Sequence, residues 1–150
     1  MKKLSSIVAV ALACVVGGVL VTQMTQAAVN KGKTRPMLTK HWMKGVMGPR
    51  CSALGKGLKA GPADDAAWAE LTLAAALLNE SSYVLMEDGR CPDGVWAKAA
   101  TDALRKGSEQ VMKATAAKDL EAANAAFKAM TASCGGCHKA HKKKKKAARL

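Results

Sequence analysis

Aromatic side chains are scarce in this sequence, which has three tryptophans, one tyrosine and one phenylalanine among its 150 residues. β-Branched residues are also few beyond residue 36, where alanine, leucine and lysine dominate. Aromatic and β-branched residues favour strands, whereas alanine, leucine and lysine favour helices. The composition leaves no strand candidate and predicts an all-α fold.

Motifs of several enzyme classes are also missing. The sequence has no phosphate-binding glycine loop and no serine or cysteine nucleophile motif. Asp64 and Asp65 suit the positive N-terminal end of a helix dipole, and no other pair of carboxylates stands out for acid–base catalysis. We therefore predict no catalytic residue and do not expect an enzyme.

No apolar run reaches the roughly 20 residues that a membrane-spanning helix needs. The fifteen apolar residues at 7–21 follow two lysines and precede small residues of the kind that a signal peptidase recognises. This pattern predicts a signal peptide at residues 1–27, cleaved after Ala27, and a periplasmic protein of residues 28–150. An uncleaved anchor and a lipoprotein modified at Cys14 are the alternatives.

Prolines are few, and three of the four stand where a helix is expected to begin; they occupy positions 36, 49, 62 and 92. Pro49 instead lies inside the first predicted helix, Pro36 to Leu58, where its missing amide hydrogen predicts a kink at Gly48-Pro49. Two helices are predicted after the last two prolines, and a fourth after Asp119, a suitable N-cap residue. Residues 30–35 are expected to form a loose leader.

Each predicted helix has apolar residues at the three- and four-residue spacing of a packed helix. The four stripes are Met43, Met47, Cys51, Leu54 and Leu58; Trp68, Leu71, Ala75, Leu78, Ser82 and Leu85; Trp96, Ala100, Leu104, Gly107, Val111 and Ala114; and Leu120, Ala123, Phe127, Met130, Cys134, Cys137 and His138. Four helices joined by short links predict an antiparallel four-helix bundle.

The segment CGGCH puts two thiols and an imidazole at positions i, i+3 and i+4 of the fourth helix, and these positions share one face. Covalent haem attachment requires this arrangement, because two thiols add to the porphyrin vinyl groups and the adjacent imidazole binds iron. The sequence predicts one haem c, bound through Cys134 and Cys137, with His138 as the proximal iron ligand.

Other uses of this motif fit less well. A thioredoxin-type dithiol belongs at a strand-to-helix turn, and no strand is predicted. Four zinc ligands on one straight helix, with His141 as the fourth, cannot surround a tetrahedral ion. A structural disulfide between Cys134 and Cys137 leaves the adjacent histidine unexplained.

The chain from Pro36 to Lys146 resembles the class II c-type cytochromes, which comprise the cytochrome c prime family and its low-spin, methionine-ligated relatives. The resemblance is carried by CGGCHKAHK, by the preceding AAFKAMTASC and by WMKGVMGPRCSALGKGLKAG in the first helix. It implies a four-helix bundle with the haem motif near the end of the last helix. Members often have an aromatic residue three positions after the haem histidine and a basic residue four after. Here His141 departs from that pattern and Lys142 follows it.

The resemblance also bears on the sixth coordination position of the iron. In the low-spin relatives a methionine of the first helix fills it, and the match to WMKG implies Met43, with Met47 as runner-up and His41 as a further alternative. The spacing from Met43 to Leu54 is one residue longer than in those relatives, and the kink at Gly48-Pro49 would absorb it. A methionine in an apolar stripe is also a common core residue.

The distal ligand decides the function that we predict. A haem with histidine and methionine ligands suits an exported single-electron carrier. A vacant sixth position would instead bind nitric oxide or carbon monoxide, as the cytochrome c prime proteins do. A structural bundle without haem is the third alternative.

The other two cysteines of the exported chain are Cys51 and Cys91. In an oxidising compartment we predict a disulfide between them, which would add about 2 to 4 kcal/mol of stability. Two buried free thiols are the alternative.

Basic residues outnumber acidic ones by 24 to 11, and seven basic residues with no acidic one follow His138. The basic tail, residues 142–150, is expected to be a solvated end. It would also suit steering towards an acidic redox partner protein, or weak contact with an anionic membrane surface. A nucleic-acid partner is not expected of an exported protein. The sequence leaves homodimerisation open.

Overall fold

A computed structural model describes residues 32–132 and 134–142, and these residues form four helical regions without a β-strand. The regions are α1, residues 39–60, built from Thr39–Trp42, Met43–Met47 and Gly48–Ala60; α2, Asp65–Met86; α3, residues 94–116, built from Gly94–Lys98, Ala99–Arg105 and Lys106–Ala116; and a fourth that comprises α4, Leu120–Ala132, and α5, Cys134–His141. The predicted all-α fold is confirmed.

Parts of the predicted organisation lie outside the described residues. These are the signal peptide at residues 1–27 and residues 143–150 of the basic tail. Within the described ranges, no helix is both long and apolar enough to cross a bilayer.

Aspartate caps decide where three of the helical regions begin. The Asp64 carboxylate accepts a hydrogen bond from the Ala67 amide at 2.8 Å, and Asp93 accepts one from the Trp96 amide at 2.9 Å. Asp119 likewise accepts from the Ala122 amide at 2.9 Å, which confirms the predicted cap. Because the caps satisfy amides in the first turn, α2 and α3 begin two or three residues after their prolines rather than at them.

Side-chain hydrogen bonds show that α2 and α3 run in opposite directions. Three bonded pairs join them: Thr72 with Thr115, Asn79 with Ser108, and Ser82 with Arg105. The residue numbers rise along α2 while those of the partners on α3 fall. In α1 and α2, Gly57 lies against Leu71, whereas Thr39 near the start of α1 accepts from Arg90 just beyond α2. This pairing is also antiparallel, as predicted for a bundle.

Most members of the predicted apolar stripes are buried or partly buried, whereas Leu120 and His138 of the fourth stripe are exposed. Every member of the stripe on α3, from Trp96 to Ala114, is buried, and all members of the α2 stripe are buried except Trp68, which is partly buried. Leu54 and Leu58 of α1 and Ala123 and Met130 of α4 complete this core. The three- and four-residue spacing therefore identified the packed faces.

A kink was predicted at Gly48-Pro49; the structure instead has a π-helical turn over Met43–Met47, and Pro49 lies in the first turn of the α-helical segment that follows. The Gly48 amide donates to the carbonyl of Met43, five residues earlier, instead of following the four-residue α-helical pattern. A Cβ on Gly48 would lie 3.1 Å from that carbonyl oxygen, so glycine suits this position. A π-helical turn takes up one extra residue, and Leu54 beyond it remains fully buried.

Candidate functional site

A cavity of about 540 Å³ lies between the four helical regions, bordered by the first half of α1 and by α5. Its size falls within the range of roughly 300 to 1,000 Å³ that is typical of cofactor and ligand sites. Most of the wall is apolar, and α2, α3 and α4 contribute Leu78, Leu85, Trp96, Ala100, Leu104 and Met130 to it. The cavity is therefore suited to an apolar ligand with few polar contacts.

The three residues of the CGGCH motif contribute to the same cavity. Cys134, Cys137 and His138 all line it, and α5, which carries them, packs against α3 and α4. Both thiols are partly buried, whereas the imidazole of His138 lies at the exposed edge. The three side chains were predicted to share one helix face, and in the structure two thiols and one imidazole lie on one wall of the cavity.

The first half of α1 provides another wall. Met43 and Met47 both line the cavity, are partly buried and pack against the core. His41 is exposed and is not among the residues that line it. Of the three predicted distal candidates, the structure therefore brings two methionines to the cavity and leaves the histidine outside.

Two π-helical segments border the cavity. One is Met43–Met47 in α1, and the other is Ala99–Arg105 in α3, whose Ala99, Ala100 and Leu104 line the wall. The first was signalled by the proline in α1. The second has neither proline nor glycine within it, so no local sequence feature indicates it. π-Helical turns are frequent at functional sites because they locally widen and reorient a helix.

Burial governs the acidity of the cavity thiols. It raises the pKa of Cys134, and it also raises that of Cys137, with further contributions from Cys134 and Asp93. The pKa of Cys51 is raised by burial and then by Cys134, so Cys51 also faces this region. Catalytic dithiols require a lowered pKa, which provides the reactive thiolate. These thiols are protonated at neutral pH, and that disfavours a thioredoxin-like role.

The histidine of the motif is shifted in the opposite direction. Burial, and then the charge of Lys142, lower the pKa of His138. The neutral imidazole therefore predominates at neutral pH, and this is the form that binds a metal through a free nitrogen lone pair.

His141, the departure from the family pattern, occupies an aromatic packing position. Its side chain is only 8% exposed, and its ring meets the edge of Trp96 with centroids 5.4 Å apart at 75°. Its Nε2 atom lies 3.4 Å from Asp93 Oδ1, yet it forms no hydrogen bond of acceptable geometry with any described residue. That carboxylate oxygen already accepts from the Trp96 amide, so we regard ring packing as the main interaction of His141.

A metal site of the zinc type is not formed by the described residues. In residues 32–132 and 134–142, no group of three or more histidine, cysteine, aspartate or glutamate side chains could hold a metal ion. The helical positions of Cys134, Cys137, His138 and His141 agree with the geometric argument against a tetrahedral site.

The structure does not join Cys51 to Cys91. Both are free thiols; Cys51 lines the cavity, whereas the Cys91 thiol donates to the carbonyl of Asp93 at 3.5 Å. The predicted disulfide between them is therefore not part of this structure.

Comparisons with known proteins do not add a relative. The chain matches no protein-family model, no curated protein and no solved structure. The resemblance to class II c-type cytochromes consequently stays a prediction from the sequence segments that carry it.

Proposed function

We propose that this chain is an exported monohaem c-type cytochrome that carries single electrons. The observation that carries the proposal is the convergence of Cys134, Cys137 and His138 on one wall of an apolar cavity whose other wall presents Met43 and Met47.

The residues present fit a covalently bound haem. The two thiols lie one helical turn apart, which suits two attachment points on one rigid group, and the histidine follows directly. The apolar wall suits the porphyrin face, and residues of both π-helical segments line the space. When bound, haem supplies an iron centre that exchanges one electron.

Each residue then has a distinct role. Cys134 and Cys137 would anchor the group to α5, and His138 would bind its iron through the neutral imidazole. Apolar side chains such as Leu78 and Leu104 exclude water and favour a low-dielectric site, which is one way in which a protein tunes a reduction potential.

The distal ligand is assigned to Met43, with Met47 as runner-up. Both methionines lie on the π-helical turn at the cavity. Such a turn would take up the one extra residue that the resemblance to the low-spin relatives implies between Met43 and Leu54. A thioether ligand that stays in place in both oxidation states leaves little to rearrange on electron transfer. This favours a carrier over a gas-binding protein.

Absorption spectra of methionine variants test this assignment. Ferrous wild-type protein is expected to be inert to carbon monoxide and ferric protein to show a sulfur-to-iron charge-transfer band. Met43→Ala should lose the band and bind carbon monoxide rapidly, whereas Met47→Ala should retain wild-type behaviour. Met112→Ala is the matched control, because Met112 packs against the core without lining the cavity.

Other results would identify the alternatives. Rapid carbon monoxide binding by the wild type would indicate a gas-binding haem protein. Loss of the charge-transfer band only in Met47→Ala would assign the distal ligand to Met47 instead of Met43. A protein without Soret absorption, after expression with the cytochrome c maturation machinery, would be a structural bundle.

A further inference from the structure

Charge is strongly segregated along this chain. All eleven acidic residues lie between Asp64 and Glu121, so residues 1–63 and 122–150 contain none. The whole of α1 and the whole of α5 are therefore free of carboxylates. In contrast, α2 carries three acidic residues and no basic one, whereas α3 and α4 carry acidic and basic residues together.

The two helices without carboxylates, α1 and α5, border the cavity on its open side. Lys40 and Lys44 of α1 and Lys142, directly after α5, line its mouth, and all three are exposed. Among the described residues that line the cavity, none is an aspartate or a glutamate. These three lysines are called the rim lysines below.

Nearby carboxylates do not neutralise the rim lysines. Asp93 caps α3 and faces His141, and Asp88 accepts hydrogen bonds from the Thr34 and Arg35 amides. Within residues 32–132 and 134–142, no ion pair involves a rim lysine; the lysine–carboxylate pairs found there use Lys106 and Lys118. The mouth therefore keeps an uncompensated positive field, which acts over a Debye length of about 8 Å at physiological salt.

An acidic protein suits this surface better than a lipid bilayer does. A helix that rests on a membrane inserts exposed apolar side chains between the lipid headgroups. Neither α1 nor α5 carries an exposed large apolar side chain, since those of the described residues are Met37, Leu73, Tyr83, Val95 and Leu120. The rim offers charge around a concave opening, which complements a convex acidic surface.

We propose that the rim lysines form the docking surface for an acidic protein that exchanges electrons at the cavity mouth. The electron exchange rests on the proposed function, whereas the docking rests on the charge distribution alone. Carboxylates of the partner face Lys40, Lys44 and Lys142 and bring its redox centre to the exposed edge at His138. The field of the rim raises the association rate and selects the orientation.

The experiment compares two triple variants of equal net charge in the full-length holoprotein. Lys40→Gln, Lys44→Gln and Lys142→Gln remove the rim charges, and the control replaces Lys56, Lys59 and Lys113 by glutamine. Lys59 is about 22 Å along α1 from Lys44, at 1.5 Å per residue, which exceeds two Debye lengths. Reduced flavodoxin serves as an acidic protein donor, and hexaammineruthenium(II) as a cationic donor that the rim should not attract.

At low ionic strength we expect the rim variant to be reduced by flavodoxin about tenfold more slowly than the wild type, with a weaker salt dependence. The control should change less than twofold, and reduction by hexaammineruthenium(II) should not slow in either variant. Equal slowing of both variants would overturn the proposal, because net charge alone would then explain the rates.

Binding is measured separately, so that a failure of the haem assignment is distinguishable. Amide chemical-shift changes in ¹⁵N-labelled protein on addition of flavodoxin require no electron transfer and are recorded with or without haem. Changes centred on residues 39–48 and 134–142 support the docking surface, and changes centred elsewhere overturn it. A second result would also overturn the proposal: the wild type binds phosphatidylglycerol vesicles but not flavodoxin, and the rim variant does not bind the vesicles. The rim lysines would then form a membrane-binding surface.

Discussion

Around Leu58, Leu71 and Val111 the side chains are buried and the helices leave a cavity of about 320 Å³, whereas around Met43, Trp96 and Cys134 the same helices enclose a larger one of about 540 Å³. In the first region, called the closed half, Gly57 lies so near Leu71 that a Cβ there would meet its side chain at 2.5 Å. In the second, the open half, two π-helical segments border the space. Helix separation is thus set locally, by small residues in one half and by helical irregularity in the other.

The two halves show how one bundle can be stable and still contain a cavity large enough for a cofactor. The closed half supplies the buried apolar area that stabilises the fold, and the open half keeps thiols, an imidazole and methionines near a space of cofactor size. Four sets of measurements on variants, given from the largest expected effect to the smallest, test this contrast and the local contacts of the helices.

Truncation in the closed half should be the most damaging. Leu58→Ala is expected to lower the free energy of unfolding by about 2 to 5 kcal/mol, because the residue is buried and its removal leaves a cavity. Met47→Ala in the open half should lower it by less than half as much, since that side chain already borders a cavity. Urea unfolding of both proteins without haem measures the difference. Equal losses would show that the halves are packed alike.

Adding a methyl group at a close helix contact should have the next largest effect. In Gly107→Ala the new Cβ would lie 2.7 Å from the Met130 Cβ, and overpacking of this kind lowers stability by about 1 to 3 kcal/mol. The control is Gly94→Ala, whose new Cβ would have no described neighbour within 4 Å. A control that loses as much stability as Gly107→Ala would contradict the assignment of α3 and α4 as a close pair.

The π-helical turn of α1 predicts different results for two glycines. Gly45→Ala should raise stability by about 0.5 to 1 kcal/mol, because alanine is less flexible in the unfolded chain and no described atom lies near its Cβ. Gly48→Ala should not show this gain, because its Cβ would be 3.1 Å from the Met43 carbonyl oxygen. Thermal unfolding of both variants provides the measurement. The same gain at both positions would mean that residues 43–48 form an ordinary α-helical turn.

The smallest effect is local and depends on pH. Residues 33–35, expected to be loose, dock on Asp88, whose carboxylate accepts from the Thr34 amide at 2.8 Å and the Arg35 amide at 2.9 Å. These bonds hold the pKa of Asp88 below its ordinary value. Their contribution is therefore present above about pH 4 and is lost as the pH falls through the lowered folded-state pKa.

Hydrogen exchange of the Thr34 and Arg35 amides measures this contact. Asp88→Asn should speed exchange at neutral pH, after allowance for intrinsic rates, because the amide side chain is a weaker acceptor than the carboxylate. The Trp96 amide, held by Asp93, serves as an internal reference that should not change. Unaltered protection of both leader amides in the variant would refute the docking.

Local features of the sequence predicted much of the structure. The stripes on α2 and α3, the cap at Asp119 and the common face of Cys134, Cys137 and His138 all follow from helical spacing, and the structure has each of them. Such features depend on residues only three or four positions apart, which a sequence displays directly.

Features that depend on how helices lie against each other were not predictable in the same way. The π-helical segment Ala99–Arg105 has no proline or glycine to indicate it. The position of Cys51 on the cavity wall depends on the rotation of α1 in the bundle. The leader was expected to be loose because its sequence does not show that Asp88 lies beside it.

The central claim is that α5 holds a covalently bound haem, and the intact mass of the purified protein tests it most directly. The protein is expressed with the cytochrome c maturation machinery, beside the variant with Cys134→Ser and Cys137→Ser. We expect the wild type to weigh one haem more than its polypeptide, and the double variant to have the polypeptide mass alone. A wild-type protein with the mass of its bare polypeptide would contradict the account.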